Sequence, residues 1–437
     1  MNGFTQRAKS ILGRIPRTSG GDDAPTQSTA SRKDSATGPQ NADPGKPRDF
    51  RSVQGQIDIP VNDATPDQVE SAACQEKGQF LARQDRWDDL SDMIAEADEA
   101  RAATTSGTPV AELLAYGARS DVVRAAEHSL LHGLPAKGSD FFSGIEALEM
   151  VLQDEPDDYP LALVVAHMHI DVGWAWRGAG STDHNSEINR DAFEAHFDRA
   201  RDILMPFCPL ELDSPALAAA RCALLPSDPN PQRTLVKNFE DLIGLDATNP
   251  RHMRIMGKFL LPRWFGDYQK LDLEARRIAA QTFETWGAGG YAWVWFDALL
   301  IDPLGFAAVE IDYFLDGIRD ILARETDQHV ANLLAAHLFR SWHIAREQYH
   351  ESGLRPDLAP SIRRSFETVV TERLREVHPL VWGHAEFGFE NNARVTSLER
   401  LARKGREIAL NAVALPFAGG LQAGKTVHFD ENGVYIA

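Results

Sequence analysis

Cysteine is scarce in this 437-residue chain, which has only Cys74, Cys208 and Cys222. They form no Cys-x-x-Cys and match no ligand spacing, so neither a disulfide framework nor a zinc site organises the fold. No stretch approaches the ~18 uninterrupted apolar residues of a membrane-spanning helix, and the first residues lack the apolar core of a secretory signal. A reducing, cytoplasmic setting is the expectation. Catalytic signatures are missing too. There is no Gly-x-Ser-x-Gly elbow and no recognisable Ser, His and Asp set. Between residues 17 and 49 there is no large apolar side chain, which excludes a core there and predicts a disordered tether.

Charge is present but unevenly placed. The net charge is -19, yet residues 1–52 carry nine Lys and Arg against five Asp, a local +4 that leaves -23 on the rest. Such an acidic body argues against a general nucleic-acid binder. Before Asp22 there is no acid at all, and Phe4, Ala8, Ile11, Leu12 and Ile15 fall on one helical face with Arg7, Lys9 and Arg14 off it. A basic amphipathic segment of this kind suits an anionic membrane surface or a partner's groove, and its composition also suits a transit peptide. Gly13 weakens it and Pro16 stops it, so the plainest reading is a frayed polar tail.

What the chain has in plenty is helical periodicity. Met253, Met256, Gly257, Leu260, Leu261 and Trp264 recur at helical spacing, and Pro262 ends or kinks that run. A second stripe uses Leu271, Ala275, Ile278, Ala279 and Phe283, so the two predict a helical hairpin with its turn at Gly266-Asp267-Tyr268. The clearest hairpin spans 305 to 350, with Phe306, Val309, Tyr313, Phe314, Ile318, Ile321 and Leu322 on one stripe. Its second stripe runs from Val330 through Leu334, His337, Leu338 and Trp342 to Tyr349. Further helices are expected over 161–176, 362–377 and 395–410. Asp158, Asn249 and Asp327 stand where helix caps are needed. At the end, Asn432-Gly433 between Thr426–Phe429 and Val434–Ile436 predicts a β-hairpin, joined to the body by a flexible 416–420 segment.

The turn Gly266-Asp267-Tyr268-Gln269-Lys270-Leu271, echoed by Asp85-Arg86-Trp87-Asp88-Asp89-Leu90, resembles the inter-helix turn of tetratricopeptide-type (TPR) repeats. The likeness covers roughly residues 65 to 375, without a regular 34-residue period or the complete repeat pattern. Leu261-Pro262-Arg263-Trp264 followed by Gly266 and Tyr268 is also similar to a segment of uncharacterised bacterial helical domains. The resemblance implies an all-α, TPR-like array of antiparallel helical pairs, and it names no chemistry. The expected organisation is a basic tether over 1–52, a helical-repeat body over 53–412, and a tail with a β-hairpin over 413–437.

Few constellations carry chemistry. His343, Glu347 and His350 share a helix face, and Glu347-Gln348-Tyr349-His350 has the form of a carboxylate di-iron ligand element, but no matching second pair exists. In a helix over 161–176, His167, Asp171 and Trp174 align while His169 points elsewhere, so His167-Met168-His169-Ile170-Asp171 cannot close on one ion. His337 reads as a satisfied core histidine, and Gly287-Ala288-Gly289-Gly290 as a helix stop. Gly419 to Thr426 matches a phosphate-loop expression, yet no buried parallel strand precedes it and no helix follows. No metal or other cofactor is expected. If the 161–176 and 327–350 helices line a concave surface, their free faces offer His167, Asp171, Trp174, Arg340, His343, Glu347 and His350 for recognition. The expectation is a non-enzymatic scaffold or adaptor for a protein or peptide. Its rivals are a metal protein or enzyme on the His343/Glu347/His350 face and a peripheral membrane protein using residues 1–15.

Overall fold

Residues 54–131, 140–178, 187–348, 355–389 and 397–437 are described by a computed structural model. The expected tether and His350 lie outside them. Helices α1 (Pro66–Arg83), α2 (Trp87–Glu99), α3 (Val110–Leu131), α4 (Ser143–Asp154), α5 (Tyr159–Arg177), α6 (Glu187–Leu204) and α7 (Pro215–Ala223) surround a first hydrophobic core. Leu81, Leu90, Leu114, Val164 and Phe197 are among its fully buried members. The second core belongs to α8 (Pro231–Leu245), α9 (Pro250–Phe259), α10 (Tyr268–Gln281), the single turn α11 (Phe283–Trp286), α12 (Gly289–Ile301), α13 (Ile311–Arg324) and α14 (Gln328–Gln348). It continues through α15 (Leu358–Glu372), α16 (Pro379–Phe387), α17 (Leu398–Ala414) and the short α18 (Ala418–Gln422). Helix α7 feeds both cores, with Leu217 and Ala220 facing the first and Ala218 and Cys222 the second. The fold is therefore mostly helical, with a seam along α7.

The caps act as their chemistry requires. Asp158 accepts from the Leu161 amide, Asn249 from Arg251, Asp267 from Lys270, and Asp327 from His329, each satisfying a helix-start N–H. Helix α12 is buried all round, with Trp293, Trp295, Phe296 and the ion-paired Asp297 all inside, and this makes it the centre of the second core. Both α9 and α10 pack against it rather than chiefly against each other, which corrects the expected hairpin. The approach is close: a Cβ on Gly257 would lie 1.8 Å from the Val294 carbonyl oxygen. Other elements depart from expectation as well. Gly287 stops the single turn α11 with a positive φ, as expected, while Gly289-Gly290 opens α12; Trp264 lies beyond α9 and Phe283 begins α11 rather than ending α10, and both are exposed. Phe306 lies in a 3-10 turn over Pro303–Ala307 ahead of α13, and α14 packs mainly with α15 and α16.

Strands β1 (Ile57–Asp58), β2 (Val427–Asp430) and β3 (Gly433–Ile436) form one sheet in that order. The β2–β3 hairpin is the expected one, its turn held by Asp430 Oδ1 accepting from the Asn432 and Gly433 amides. The parallel partner β1, with Ile57 opposite Val427, was not expected. It brings both ends of the described chain together, and Val427 and Phe429 are buried in the second core, so the tail is part of the body. The 416–420 segment is helical, not a free joint. Lys425 and Thr426 lead into β2, so the phosphate-loop match lies before a strand and has no helix after it.

Candidate functional site

A cavity of about 340 Å³ lies along the seam between the two cores. Each surrounding helix contributes one stripe at helical spacing. From α3 come Ala111, Ala115 and Arg119, four residues apart, with Glu112 beside them. From α5 come Leu163, His167, Ile170, Asp171 and Trp174, and from α7 the small side chains Ala216, Ala219 and Ala223. Phe239, Leu242 and Ile255 close it from the second core, with the polar groups Asp246, Asn249, Arg251 and His252 at the α8–α9 junction. The walls are mostly apolar, and the size is that of a site for a small ligand or a few side chains of a peptide.

Helix α3 is placed by backbone contact. A Cβ on Gly78 would lie 2.1 Å from the Leu114 carbonyl oxygen, and one on Gly117 would lie 2.0 Å from that of Gln75. Only glycines let α1 and α3 approach so closely, and this fixes where Glu112 and Arg119 point. Helix α5 is held from behind by a buried polar network. His169 Nε2 is 2.8 Å from Glu149 Oε1, and His169 Nδ1 is 2.9 Å from His196 Nδ1. Arg199 forks onto both oxygens of Glu149. Burial lowers the pKa of both histidines. In the neutral state the geometry requires His169 Nε2–H to donate to Glu149 and His196 Nδ1–H to donate to His169. Burial alone would raise the Glu149 carboxyl, but Arg199 and His169 hold it down to about 2.

The cavity carboxylates all have donors. Asp98 accepts from Ser214 Oγ and, at 2.9 Å, from the Ala216 amide; burial nevertheless pushes its pKa up. Glu112 receives Arg251 at 2.7 and 3.2 Å, and this pairing outweighs burial and lowers its pKa. For Asp246 the desolvation of burial is overcome by His252, 3.1 Å away, which holds the carboxyl low. Asp171 accepts from Arg119 Nε at 2.7 Å. The donors are not so well matched. Arg119 is 4% exposed and its guanidinium stacks over Tyr116, yet neither Nη hydrogen-bonds a described residue, and Nη1 is sealed from the surface. Asn249 Nδ2 is also buried without a completed hydrogen bond. His167 is half-buried and makes no hydrogen bond to a described residue, and burial followed by the Arg119 charge lowers its pKa to about 4. It stands in the cavity as a neutral imidazole. Cys222 lines the wall as well, but burial pushes its thiol far up, so it is no nucleophile at neutral pH.

Three of the seven recognition candidates, His167, Asp171 and Trp174, thus meet in this cavity. Trp174 is fixed there edge-on to Phe193 and Phe197, with Arg177 over its ring. His169 points away from them, as the helical geometry requires. Arg340, His343 and Glu347 do not line it. Arg340 lies 3.9 Å from Glu386, His343 rests against Phe339 and Trp342, and Glu347 is exposed on α14. Among the described residues no three His, Cys, Asp or Glu gather as a metal site would need. His337 is a satisfied core residue, its Nε2 2.7 Å from the Phe296 carbonyl and its pKa lowered by burial to about 3. A second cavity of about 640 Å³ shares Glu112 and Arg251 with the first, so that ion pair forms part of the wall between them.

Sequence reasoning missed Arg119, Glu112, Asp98, Arg251 and Asp246. One signal was available: Arg119 continues the four-residue spacing of Ala111 and Ala115, a charge on a stripe otherwise made of small apolar residues. No described helix is long and apolar enough to cross a membrane. Comparison with family models, with curated proteins and with solved structures returns no significant match.

Proposed function

We propose that this chain is a non-enzymatic binding protein, a scaffold or adaptor of TPR-like architecture, that takes up part of a protein or peptide partner at the seam between its two cores. The observation that carries the reading is the seam cavity itself: apolar walls from six helices, with His167, Asp171 and Trp174 converging on it. Apolar walls with a few placed polar groups and an aromatic suit recognition. No activated nucleophile accompanies them, since the one cavity thiol is held protonated. Helices close in sequence, such as α5 with α6 and α16 with α17, pack together as paired-helix repeats would.

The test is affinity capture of the tagged full-length protein from its own cells, beside a variant carrying Ala219→Phe, which fills the cavity. A stoichiometric partner captured by the parent and lost with the variant supports seam recognition. A partner retained at equal abundance by the folded variant places recognition elsewhere and ends this reading.

A further inference from the structure

We infer that the seam cavity seats a carboxylate borne on an apolar body, with the free edge of Arg119 and the imidazole of His167 as its polar end. The inference rests on the seam being a binding site, and it names what the site selects.

The argument is an inventory of hydrogen-bonding groups. All four carboxylates lining the cavity, Asp98, Glu112, Asp171 and Asp246, already accept from protein donors. Of the three arginines lining it, Arg251 is forked onto Glu112, and Arg101 is engaged by Asp213 and the Glu99 and Leu245 carbonyls. Arg119 alone spends only Nε, on Asp171, and leaves both Nη groups without a partner among the described residues. The neutral imidazole of His167, without a hydrogen bond to a described residue, adds one further donor beside it. Leaving a buried donor unmatched is costly, and more so when it is charged. A ligand that supplies acceptors recovers that cost, and a guanidinium edge fits the two oxygens of a carboxylate. A dianion such as phosphate would face four carboxylates with one free guanidinium edge, so a single negative charge fits better. The remaining walls, from Ala111 and Ala115 to Phe239 and Ile255, require the rest of the ligand to be apolar.

That chemistry has two sources, a small free acid or the C-terminal carboxylate of a peptide ending in an apolar residue. Isothermal titration calorimetry on the full-length protein separates them, using hexanoate, methyl hexanoate and hexylamine, and a tripeptide Gly-Gly-Leu with free or amidated C-terminus. The expected result is binding of a free carboxylate at least tenfold tighter than of its ester, amine or amide counterpart. Preference for hexanoate assigns the small acid, and preference for the free-acid peptide assigns the chain terminus. Arg119→Lys keeps a cation beside Asp171 and removes the Nη pair, so it is expected to weaken carboxylate binding at least tenfold while the protein stays folded. Ala219→Phe is expected to abolish it. Equal binding of acid and amine, no binding of any carboxylate by the folded parent, or full affinity in Arg119→Lys overturns the inference. If no carboxylate binds while Ala219→Phe still costs the captured partner, this inference fails and the seam remains the recognition surface.

Discussion

At the scale of single residues, the protein stakes its stability on buried groups held in one protonation state. His337 has a folded pKa near 3 against an ordinary value of 6.5. The unfolded chain therefore binds more protons below pH 6.5, and stability is full above that value and falls as pH drops toward 3. Between pH 6.5 and 5 this residue alone is expected to cost roughly 2 kcal/mol. Denaturant titration of parent and His337→Gln across that window checks it: the variant starts less stable and shows a flatter dependence. Glu149 works in a lower window. Its carboxyl, held near 2, contributes stability that is present above pH 4.5 and lost between 4.5 and 2. Arg254 and Asp297 form a buried pair with bonds of 3.1 and 3.0 Å, its guanidinium over Phe296 and Phe389. Asp297→Ala leaves that guanidinium uncompensated and is expected to cost about 3–5 kcal/mol in equilibrium unfolding. A loss under 1 kcal/mol would show that the charge finds water instead.

At the scale of elements, the site depends on how closely two helices can lie. Helices α1 and α3 touch backbone to backbone at Gly78 and Gly117, and α3 carries Arg119 and Glu112 into the seam. Gly117→Ala sets a methyl against the Gln75 carbonyl and is expected to cost about 1–3 kcal/mol or more. The gain in helix propensity, about 1 kcal/mol at most, does not offset it. The variant should also bind the carboxylate proposed for the seam more weakly, because α3 moves outward. Thermal melting with ligand titration reads both effects, and a stabilised variant would contradict the close contact. The β-hairpin shows a different dependence. Its turn is local and was legible in Asn432-Gly433. Its anchoring is distant, through Ile57 on β1 and through Phe429 in the second core. Phe429→Ala is expected to cost about 3–5 kcal/mol in chemical denaturation, the loss of a buried aromatic side chain.

At the scale of the whole molecule, α7 joins two cores and has the cavity along one flank. Cys222 sits on that helix at 3% exposure, while Cys74 and Cys208 are half-buried. Native-state labelling with a thiol reagent is therefore expected to leave Cys222 unmodified until denaturant is added. Peptide mapping identifies the site. Labelling of Cys222 at the rate of the other two would show that the cores separate readily along the seam.

Much of this was readable in the residues in order, and the boundary has a physical cause. Helix starts were legible because a cap acts within three residues: Asp158, Asn249 and Asp327 do so here. Stripes such as Leu271, Ala275, Ile278 and Ala279 were legible because periodicity is a property of one helix. The alignment of His167, Asp171 and Trp174, and the burial of His337, follow from the same geometry. Partnership between helices did not follow, because α9 and α10 each find more apolar surface on α12 than on each other. Nor did the third strand, since Ile57 and Val427 are remote in sequence and two residues carry no strand pattern. The sequence by itself determined helices such as those over 161–176 and 362–377 and the face each one buries, since those depend on neighbours three or four residues away; α3, α7 and α12 were not among the helices it predicted. Only the tertiary structure decided that Arg119, from a stripe of alanines, meets His167 in a cavity where its charge is half spent, because that meeting depends on two glycine contacts and on packing across two cores.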